Sequence, residues 1–383
     1  MSNIPPIDLA RQYQVIGEQV SVAVQDVLTS GRYIGGPIVE NFEQQFAAYM
    51  GARESVACNS GTDALYLALR ALQIGPGDEV ITTPFTFIAT AEVISAVGAT
   101  PVFVDIDAQT FNFDVTQLAA AITDKTKAII PVHLFGQPVD MTAVMDIAQA
   151  YKLAVIEDCA QATGAQWGGQ KVGSIGHIGC FSFFPTKNLG ACGDGGAVIT
   201  NDSSLAASIR KLREHGMVNR YCHEDTGINS RLDALQAAIL LIKLPYLDQW
   251  NEARSQVAAT YQQLLQLVPG IVLPQEQPGS HAVWNQYTIR LTQDSSSSRY
   301  RDEVRTQLQK LGVSSMVYYP LPLHLQPVYK QLGYQPGQLP IVERICNEVL
   351  SLPIFPELSL EEQQQVVYGL KDCLKDCLIL ERV

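Results

Sequence analysis

Apolar residues near the start of the chain recur every three or four positions, the spacing that places them on one face of a helix. The first such set predicts a helix that ends near Ser30 and Gly31 and includes Tyr13, Ile16, Val20, Val24 and Val27. A second set predicts a helix that stops at Gly51 and includes Val39, Phe42, Phe46 and Met50. Two amphipathic helices are therefore expected before the rest of the fold.

From residue 55 onwards, short apolar runs alternate with helical patterns. The apolar runs predict strands at 55–58, 79–82, 101–104, 127–132 and 153–156. The segments between them predict helices, most clearly at 63–72, 86–97 and 142–151. Strands that alternate with helices indicate a mostly parallel sheet covered on both faces. The ligands of such sheets gather at the carboxyl ends of the strands.

The second half of the chain has a different pattern. Residues 203–247 are predicted to be largely helical, and Pro245 and Trp250 bracket the expected domain boundary. Beyond it we predict a helix at 251–267, an alternating strand at 286–290 and, after a serine-rich linker at 293–298, a helix at 302–311. We therefore expect a large α/β domain with an N-terminal arm at 1–248 and a smaller α+β domain at 249–383.

Composition excludes several classes of function. The 383 residues carry a formal net charge of −12 and contain no run of five basic residues, which argues against a nucleic-acid partner. The chain opens without a basic and apolar leader, and no apolar run approaches membrane-spanning length, so we expect a cytoplasmic protein with no membrane partner. Eight cysteines are scattered along the sequence, and Cys373 and Cys377 have no second pair to complete a zinc site. Reduced thiols and no metal are expected.

One lysine lies in an unusual context. Lys187 follows the apolar run 180–184, which only Ser182 interrupts, and it precedes a glycine-rich loop at 190–196. Apolar walls disfavour an ammonium group, so they lower the pKa of a lysine and leave a free amine that can attack a carbonyl carbon. The alternative interpretation is an ordinary surface lysine in a loop.

Two further features lie where predicted strands end. Ser60-Gly61-Thr62 opens a helix, where backbone N–H groups and hydroxyls can hold a phosphate or where a serine simply caps the helix. No Gly-Lys-Ser/Thr follows at the required spacing, so this turn is not a P-loop. Asp158 could bind a metal, act as a base, pair with a protonated ring nitrogen or cap a turn.

Ser182 and Phe87 add to this set. Ser182 would offer another hydroxyl to a phosphate if it faces the same pocket, and Phe87 would offer an aromatic face unless it packs in the core. A phosphate cradle, an aromatic face, a buried carboxylate and an activated lysine together match pyridoxal phosphate (PLP). The lysine bonds the aldehyde of this cofactor, and the carboxylate keeps its pyridine nitrogen protonated so that the ring can accept electrons.

Several longer motifs carry a resemblance to a known family. They are Asn-Ser-Gly-Thr-Asp-Ala-Leu at 59–65, Pro-Phe-Thr-Phe-Ile-Ala-Thr at 84–90, Glu-Asp-Cys-Ala-Gln at 157–161, Phe-Ser-Phe-Phe-Pro-Thr-Lys-Asn-Leu-Gly at 181–190, Asn-Ser-Arg-Leu-Asp-Ala-Leu-Gln-Ala-Ala at 229–238 and Tyr-Pro-Leu-Pro-Leu-His at 319–324. With these motifs the chain resembles the DegT/DnrJ/EryC1/StrS nucleotide-sugar aminotransferases of the aspartate aminotransferase superfamily, fold type I. The resemblance implies a large domain with a mostly parallel seven-stranded sheet flanked by helices, and a smaller α+β C-terminal domain.

The resemblance also implies roles for individual residues. Lys187 would bond the cofactor and, once released, move a proton between the substrate carbon and the cofactor. Asp158 would pair with the pyridine nitrogen and Gln161 would contact the side of the ring that carries the hydroxyl. The phosphate would be held by Gly61, Thr62 and Ser182, with Phe87 stacked on the ring and Asn229 reaching the phosphate from a neighbouring subunit. This last role implies a homodimer with shared active sites.

The resemblance also implies a cleft for the sugar nucleotide. The residues implied to border it are Arg220, Tyr221, Tyr319 and His324, the last of which could instead be a turn residue.

The reaction implied is a transamination in two halves. L-Glutamate gives its amine to the cofactor and leaves as 2-oxoglutarate, and the pyridoxamine form (PMP) then aminates a keto-sugar carried by a nucleoside diphosphate. The segment Gly-Ile-Asn-Ser-Arg-Leu-Asp at 227–233 favours a 3-keto hexose, and a 4-keto sugar is the alternative. The product would be an amino sugar for glycan or antigen biosynthesis.

Three other classes of protein are alternatives to a sugar aminotransferase. Related sugar dehydratases carry a histidine where this chain has Lys187, which argues against dehydration. A non-catalytic regulator on the same fold would need neither Asp158 nor Lys187, and both are present. A desulfurase would need a nucleophilic cysteine on a mobile loop, for which Cys192 is the candidate.

Overall fold

The computed structural model describes residues 3–293 and 296–380, with side chains as far as residue 375. Residues 294 and 295 of the expected linker, and the side chain of Cys377, lie outside the described part. In chain order the first elements are α1 Leu9–Ser30, α2 Pro37–Met50, β1 Glu54–Cys58, α3 Gly61–Ala71, β2 Glu79–Thr82, α4 Ala89–Ala96, β3 Thr100–Phe103, α5 Leu118–Ala121, β4 Thr126–Ile130, α6 Met141–Tyr151, β5 Ala154–Asp158, β6 Gln166–Trp167 and β7 Gln170–Lys171.

The remaining elements complete the sheet and build the C-terminal part. They are β8 Ile178–Ser182, β9 Gly196–Thr200, α7 Ser203–Leu212, β10 Met217–Asn219, β11 Cys222–His223, α8 Ala234–Lys243, α9 Leu247–Leu265, β12 Ile271–Val272, β13 Ser280–His281, β14 Tyr287–Leu291, α10 Arg299–Lys310, α11 Pro340–Glu348, β15 Val349–Leu352 and α12 Leu360–Leu380. Short 3-10 turns lie at Val115–Gln117, Leu134–Gly136, Leu244–Tyr246, Leu323–Leu325 and Pro327–Leu332.

A seven-stranded sheet forms the centre of the molecule, with the order β1-β9-β8-β5-β4-β2-β3. Strands β3, β2, β4, β5 and β8 pair in parallel, whereas β9 runs antiparallel to both of its neighbours, β1 and β8. The predicted α/β fold with a mostly parallel sheet is confirmed. Since β1, β2, β5 and β8 point the same way, the turns that follow them meet at one edge of the sheet.

The two amphipathic helices also form as expected. Asp8 caps α1 by accepting hydrogen bonds from two backbone N–H groups, and α1 ends at Gly31, whose positive φ of 66° suits glycine. The buried face of α1 includes Ile16 and Val20, which pack against α8 and Trp250. The first two helices therefore close one side of the large sheet.

The C-terminal part has its own core around the sheet β12-β14-β15. Helices α9, α10 and α12 contribute side chains to this core, and so does Ile4 from the N-terminal arm, which pairs with Gly312 and Ser314. The arm thus packs on the C-terminal core, and residues 248 and 249 fall within the first turn of α9. The division at that point stays a prediction.

Some elements differ from their predicted form. Helix α4 begins at Ala89 rather than at residue 86, because residues 83–88 form a turn that carries polar groups to the sheet edge. Within 203–247 the chain also forms the hairpin β10–β11, which the helical prediction missed. Among the described residues, no helix combines the length and the apolar character that crossing a bilayer requires.

Candidate active site

The N-terminus of α3 lies against the end of β8 and the start of β9. Ser60 caps α3 by accepting a hydrogen bond from the backbone N–H of Asp63 over 3.1 Å. A side chain at Gly61 would come within 2.7 Å of the Cβ atom of Ser182, and one at Gly196 within 2.4 Å of the Ser60 carbonyl group. Glycine is thus required at both positions, at Gly61 because Ser182 lies so close and at Gly196 because the Ser60 backbone does. The result is a small cradle in which helix N–H groups and the Ser182 hydroxyl meet, which suits a phosphate.

Asp158 ends β5 in the middle of the sheet and is 4% exposed. Its Oδ2 accepts a hydrogen bond from the Thr90 hydroxyl over 2.8 Å, and its Oδ1 accepts one from the Ala160 N–H over 3.1 Å. Burial raises the pKa of this carboxyl group, while these two hydrogen bonds and the positive charge of Lys187 act in the opposite direction. The carboxylate is therefore a buried acceptor whose ionisation depends on its neighbours.

Lys187 lies in the turn that follows β8. Its backbone N–H donates to the Phe184 carbonyl over 2.8 Å, and Gly190 closes the loop so tightly that a Cβ there would lie 2.3 Å from the Pro185 oxygen. Burial lowers the pKa of the Lys187 amine to about 8, and the nearby Asp158 carboxylate opposes this shift. The structure thus brings the amine and the acid into one site, and the surface-lysine alternative does not describe this environment.

Gln161 and Tyr319 border the same site. The Gln161 Oε1 accepts a hydrogen bond from the Phe135 N–H over 2.7 Å, and its Nε2 donates to the Tyr319 hydroxyl over 3.2 Å. Burial raises the pKa of Tyr319, and the negative charge of Asp158 adds to this effect. The amide and the phenol therefore lie beside the acid, with Tyr319 supplied by the C-terminal part of the chain.

Phe87 has 58% of its surface exposed, so its alternative interpretation as a core residue is excluded. It lies on the turn between β2 and α4, at the same sheet edge as Asp158. An exposed aromatic ring at the mouth of a polar site is available for stacking on a planar ligand. Thr62, in the first turn of α3, is half-buried at this edge.

His324 is enclosed rather than open to a cleft. Its side chain is fully buried, with Nε2 lying 3.2 Å from Glu343 Oε1 and the ring edge-on to Tyr334. Burial lowers the pKa of His324, and Glu343 counteracts that shift. The residue belongs to a 3-10 turn tied to the sheet edge by a hydrogen bond from the Leu323 N–H to the Pro84 carbonyl.

Arg220, Tyr221 and Asn229 lie in an exposed segment. Tyr221 is 82% exposed at the tip of the β10–β11 hairpin, with the Arg220 guanidinium 5.3 Å from the centre of its ring. Within the described part of the chain, the hairpin and its flanks bond to Lys211 of α7 and Arg70 of α3, not to Asp158. Asn229 is exposed, while its neighbour Ser230 is buried and hydrogen-bonded to Asn59. The structure does not bring these three residues to Lys187 within one chain.

A buried pair next to the site was missed by the sequence prediction. The His133 Nδ1 accepts a hydrogen bond from the Val139 N–H, so the neutral ring carries its proton on Nε2 and donates it to Glu157 over 3.0 Å. Glu157 also accepts hydrogen bonds from the N–H groups of Gly173, Ile175 and Gly176. Together with Cys159 these side chains have a spacing that could hold a metal ion, but the imidazole nitrogens of His133 and the carboxylate oxygens of Glu157 are already hydrogen-bonded. The pair instead fixes the loop 173–176 against β5, beside Asp158.

The hydroxyls of Thr86 and Thr90 were also missed. Their oxygens lie 3.1 Å apart, and Thr90 contacts Asp158. The signal in the sequence was that the two threonines lie four positions apart, shortly after the predicted strand 79–82. Nothing local in the sequence indicated that this turn crosses to β5.

The comparison with known proteins decides the family. The profile of the DegT/DnrJ/EryC1/StrS aminotransferase family matches residues 14–371. The chain belongs to this family. The predicted membership and the fold type I architecture of an aminotransferase are therefore confirmed.

Three proteins similar to this chain differ in the functions that their names describe. The chain is 52% identical to a "Pleiotropic regulatory protein" of Geobacillus stearothermophilus, over 95% of this chain and 97% of the relative. It is 46% identical to a UDP-N-acetyl-3-dehydro-alpha-D-glucosamine 3-aminotransferase of Acidithiobacillus ferrooxidans, over 94% and 95% of the two chains. Its fold matches the crystal structure of NtdA from Bacillus subtilis with bound cofactor PMP, with a TM-score of 0.90, 35% identity and coverage of 98% of this chain and 86% of that one.

Proposed function

We propose that this aminotransferase uses PLP to move the amine of L-glutamate onto a keto-sugar carried by a nucleoside diphosphate. The observation that carries the proposal is the pairing, in one site, of a half-buried lysine whose pKa is lowered to about 8 with the buried acid Asp158. The PMP bound in the Bacillus subtilis structure and the sugar nucleotide named for the Acidithiobacillus relative support the cofactor and the substrate class.

The residues at the sheet edge fit the cofactor. The N–H groups at the start of α3, with Gly61, Thr62 and Ser182, would hold its phosphate. A Cβ at Gly61 would lie 2.7 Å from the Cβ atom of Ser182, so these two residues border the same cradle. Phe87 would stack on the ring, Gln161 would contact the ring's hydroxyl side, and Asp158 would face the pyridine nitrogen. PLP supplies, when bound, a ring that takes up electron density from the substrate carbon that loses its proton.

The work of this chain's own residues is to hold and move protons. The Lys187 amine would be the attachment point for the cofactor and, when freed, would accept a proton from the substrate carbon and deliver it to the cofactor. Asp158 keeps a proton on the pyridine nitrogen, because a buried carboxylate that lacked a positive partner would be costly. Burial lowers the pKa of Lys187 to about 8, which leaves most of the amine unprotonated at mildly alkaline pH.

A homodimer with shared sites is part of the proposal. Asn229 is exposed and lies beside a residue that is hydrogen-bonded to Asn59, at the turn before α3. A two-fold pairing would let Asn229 of one copy reach the phosphate cradle of the other. Arg220, Tyr221, Tyr319 and His324 remain proposed sugar-nucleotide residues, with Tyr319 in contact with Gln161 and His324 acting through its enclosed turn. The cytoplasmic location stays a prediction.

We propose C3 as the carbon that receives the amine, and C4 as the alternative. The Acidithiobacillus relative is named as a 3-aminotransferase, which favours C3. Purified protein would be incubated with L-glutamate and a panel of 3-keto and 4-keto sugars on uridine and thymidine diphosphates. Mass spectrometry would identify the aminated product, and the formation of 2-oxoglutarate would be measured independently. Amination confined to 4-keto sugars would overturn the C3 assignment.

A regulatory role is the second candidate because of the name of the 52% identical relative. A regulator would bind its ligand without turnover, whereas an intact amine and acid in one site favour catalysis. If wild-type protein binds PLP but forms no 2-oxoglutarate with any sugar nucleotide in the panel, the regulatory alternative is favoured. If Lys187→Ala loses the formation of 2-oxoglutarate that the wild type shows, the aminotransferase is favoured.

A further inference from the structure

A chain of two buried hydroxyls ends on Asp158. Thr90 Oγ1 lies 2.8 Å from Asp158 Oδ2 and 3.1 Å from Thr86 Oγ1, and each of the three residues is at most 4% exposed. A threonine hydroxyl has only one proton to donate. Because Thr90 donates its proton to the carboxylate, Thr86 has to donate to Thr90. The chain of hydrogen bonds therefore has one direction, from Thr86 through Thr90 to Asp158.

We propose that Thr90 is a positioning residue which holds Asp158 as an ionised acceptor for the cofactor's ring nitrogen, and that Thr86 fixes the direction of the Thr90 proton. The inference rests on the proposed function, since it concerns the same cofactor. It assigns a role to two side chains that act through Asp158 and need no contact with the substrate.

The geometry explains why a hydroxyl is needed here. The Ala160 N–H holds Oδ1 and the Thr90 hydroxyl holds Oδ2, so two donors from different elements fix the plane of the carboxylate. Each carboxylate oxygen keeps a second lone pair for a further donor. Without Thr90, one oxygen of a buried carboxylate has no donor, and hydrogen bonds to charged groups contribute more than those between neutral groups.

Protonation of Asp158 on the side that faces Thr90 would reverse the chain. Burial raises the pKa of Asp158, and the Thr90 hydrogen bond lowers it. A proton on the Oδ2 lone pair that faces Thr90 would be donated to Thr90, which would then donate to Thr86. Loss of the Thr90 hydroxyl therefore moves a shared proton away from the ring nitrogen and towards the carboxyl group.

Several other titratable groups face Asp158, and a substitution at Thr90 replaces none of them. Lys187 influences the pKa of Asp158 through its charge and the neutral ring of His133 lies near the carboxylate, while Asp158 in turn raises the pKa of its neighbours Tyr319, Cys159 and Cys180. These groups come from the loop after β8, the segment after β4, the C-terminal part, the turn after β5 and β8 itself. A comparison between Thr90 variants therefore isolates the effect of the hydroxyl.

The test uses the full chain loaded with PLP that carries ¹⁵N at its ring nitrogen. The nitrogen chemical shift reports whether that atom is protonated, and a titration of apoprotein with PLP gives the dissociation constant. For Thr90→Val we expect a shift towards the unprotonated value and a dissociation constant raised about tenfold. Thr90→Ser keeps the hydroxyl and should restore both values, whereas Thr86→Val should produce the same changes to a smaller extent.

Thr82→Val is the matched control. Thr82 is also fully buried, and its hydroxyl donates to the Ile130 carbonyl over 2.9 Å, away from Asp158. This variant should lower the thermal stability as much as Thr90→Val does and leave the nitrogen shift unchanged. The melting temperature of each apoprotein therefore separates a loss of fold from a loss of positioning.

The outcomes separate this inference from the proposed function. If wild-type protein fails to bind PLP, both are overturned. If the wild type binds PLP and Thr90→Val has the wild-type nitrogen shift and affinity, only the positioning role is overturned. A Thr90→Ser variant as impaired as Thr90→Val would also overturn it, since the hydroxyl would then not be the group that matters. A change in Thr86→Val larger than that in Thr90→Val would overturn the proposed order of the chain.

Discussion

The surroundings of Asp158 and the segment 217–229 both carry proposed site residues, but they are built in opposite ways. Asp158 is buried, and its oxygens accept hydrogen bonds from Thr90 and Ala160 of the same chain. Tyr221, by contrast, is 82% exposed, and Asn229 is exposed as well. The contacts proposed for the ring of the cofactor thus lie within one chain, whereas Arg220, Tyr221 and Asn229, which are proposed for the sugar nucleotide and the phosphate, are exposed. In the proposed homodimer, the exposed segment of one copy would complete the site around Asp158 of the other.

The contrast between the surroundings of Asp158 and the exposed segment 217–229 predicts its largest effect for a substitution of Lys187. Lys187→Ala removes the amine, so the rate of 2-oxoglutarate formation should fall by at least about 10³-fold, as expected for the loss of an essential proton-transfer group. The visible absorption of bound PLP should disappear as well. Turnover, the absorption spectrum and the melting temperature would be measured on the same preparation.

Lys171→Ala is the control for this variant. Burial also lowers the pKa of Lys171, but its Nζ donates to the Tyr49 carbonyl, away from the sheet edge. This variant should keep its turnover and its colour. An active Lys187→Ala protein, or an equal loss in both variants, would contradict the assignment of the buried region to the cofactor.

Asp158 should show the next largest effect. Asp158→Asn keeps the size and one acceptor oxygen but removes the charge that holds a proton on the ring nitrogen. We expect turnover to fall by about 10²–10³-fold, the range seen when one preorganised electrostatic contact is removed. Steady-state kinetics and the spectrum of the bound cofactor would measure the change.

The adjacent carboxylate offers a matched control. Glu157 is fully buried and accepts hydrogen bonds from three backbone N–H groups, so Glu157→Gln should lower the free energy of unfolding by about 2–4 kcal/mol. The folded fraction should keep the spectrum of the wild type. If Glu157→Gln altered the spectrum as Asp158→Asn does, the separation between a structural and a chemical carboxylate would be wrong.

The sequence predicts the buried region better than the exposed one, for a physical reason. Strand ends in a parallel sheet converge, so the positions of Asp158, Ser182 and the turn at 60–62 follow from local patterns alone. The contact between Thr90 and Asp158 joins residues 68 positions apart, and the pair of His133 and Glu157 depends on how β4 and β5 end. Such contacts have no local signal, because a hydroxyl or an imidazole has the same appearance wherever its partner lies.

The exposed region was harder to predict for another reason. The β10–β11 hairpin is short, and its residues 217–223 lack the alternation of buried and exposed positions that indicates a strand. The role proposed for Asn229 depends on a second copy of the chain, which no pattern within the sequence describes. The resemblance to the family therefore carried that prediction.

The next largest expected effect is the pH dependence of the rate at which the apoprotein binds PLP. With a pKa of about 8, the free amine of Lys187 declines about tenfold for each pH unit below that value and is nearly constant above it. The rate at which apoprotein develops the absorption band with PLP should therefore rise with pH and level off near pH 8. A small aliphatic amine in the same buffers corrects for the ionisation of PLP itself and should still be rising there. A rate that keeps rising as the small amine does would contradict a lowered pKa.

The smallest expected effect tests whether the exposed region completes the site of another copy. Asn229→Ala should weaken PLP binding and turnover by about tenfold, the loss of one hydrogen bond to a charged group, and leave the melting temperature of the apoprotein unchanged. Asn229→Ala would then be mixed with inactive Lys187→Ala after dissociation and reassociation of the subunits. If the sites are shared, the mixed dimer contains one site with both Lys187 and Asn229 intact.

The mixture therefore distinguishes sites shared between two subunits from sites formed within one chain more sharply than either variant does alone. With random reassociation and shared sites, an equal mixture should regain about one quarter of the wild-type activity per subunit, since half of the dimers carry one intact site. If each chain used its own Asn229, no intact site would form and the mixture would show only about one twentieth, half of the residual activity of Asn229→Ala. This fivefold difference follows from the count of intact sites and from the tenfold loss expected for Asn229→Ala, so it does not depend on which sugar nucleotide is the substrate. A result at the lower value would mean that the exposed segment folds back on its own chain, and that the contrast between the two regions does not reflect a division of work between subunits.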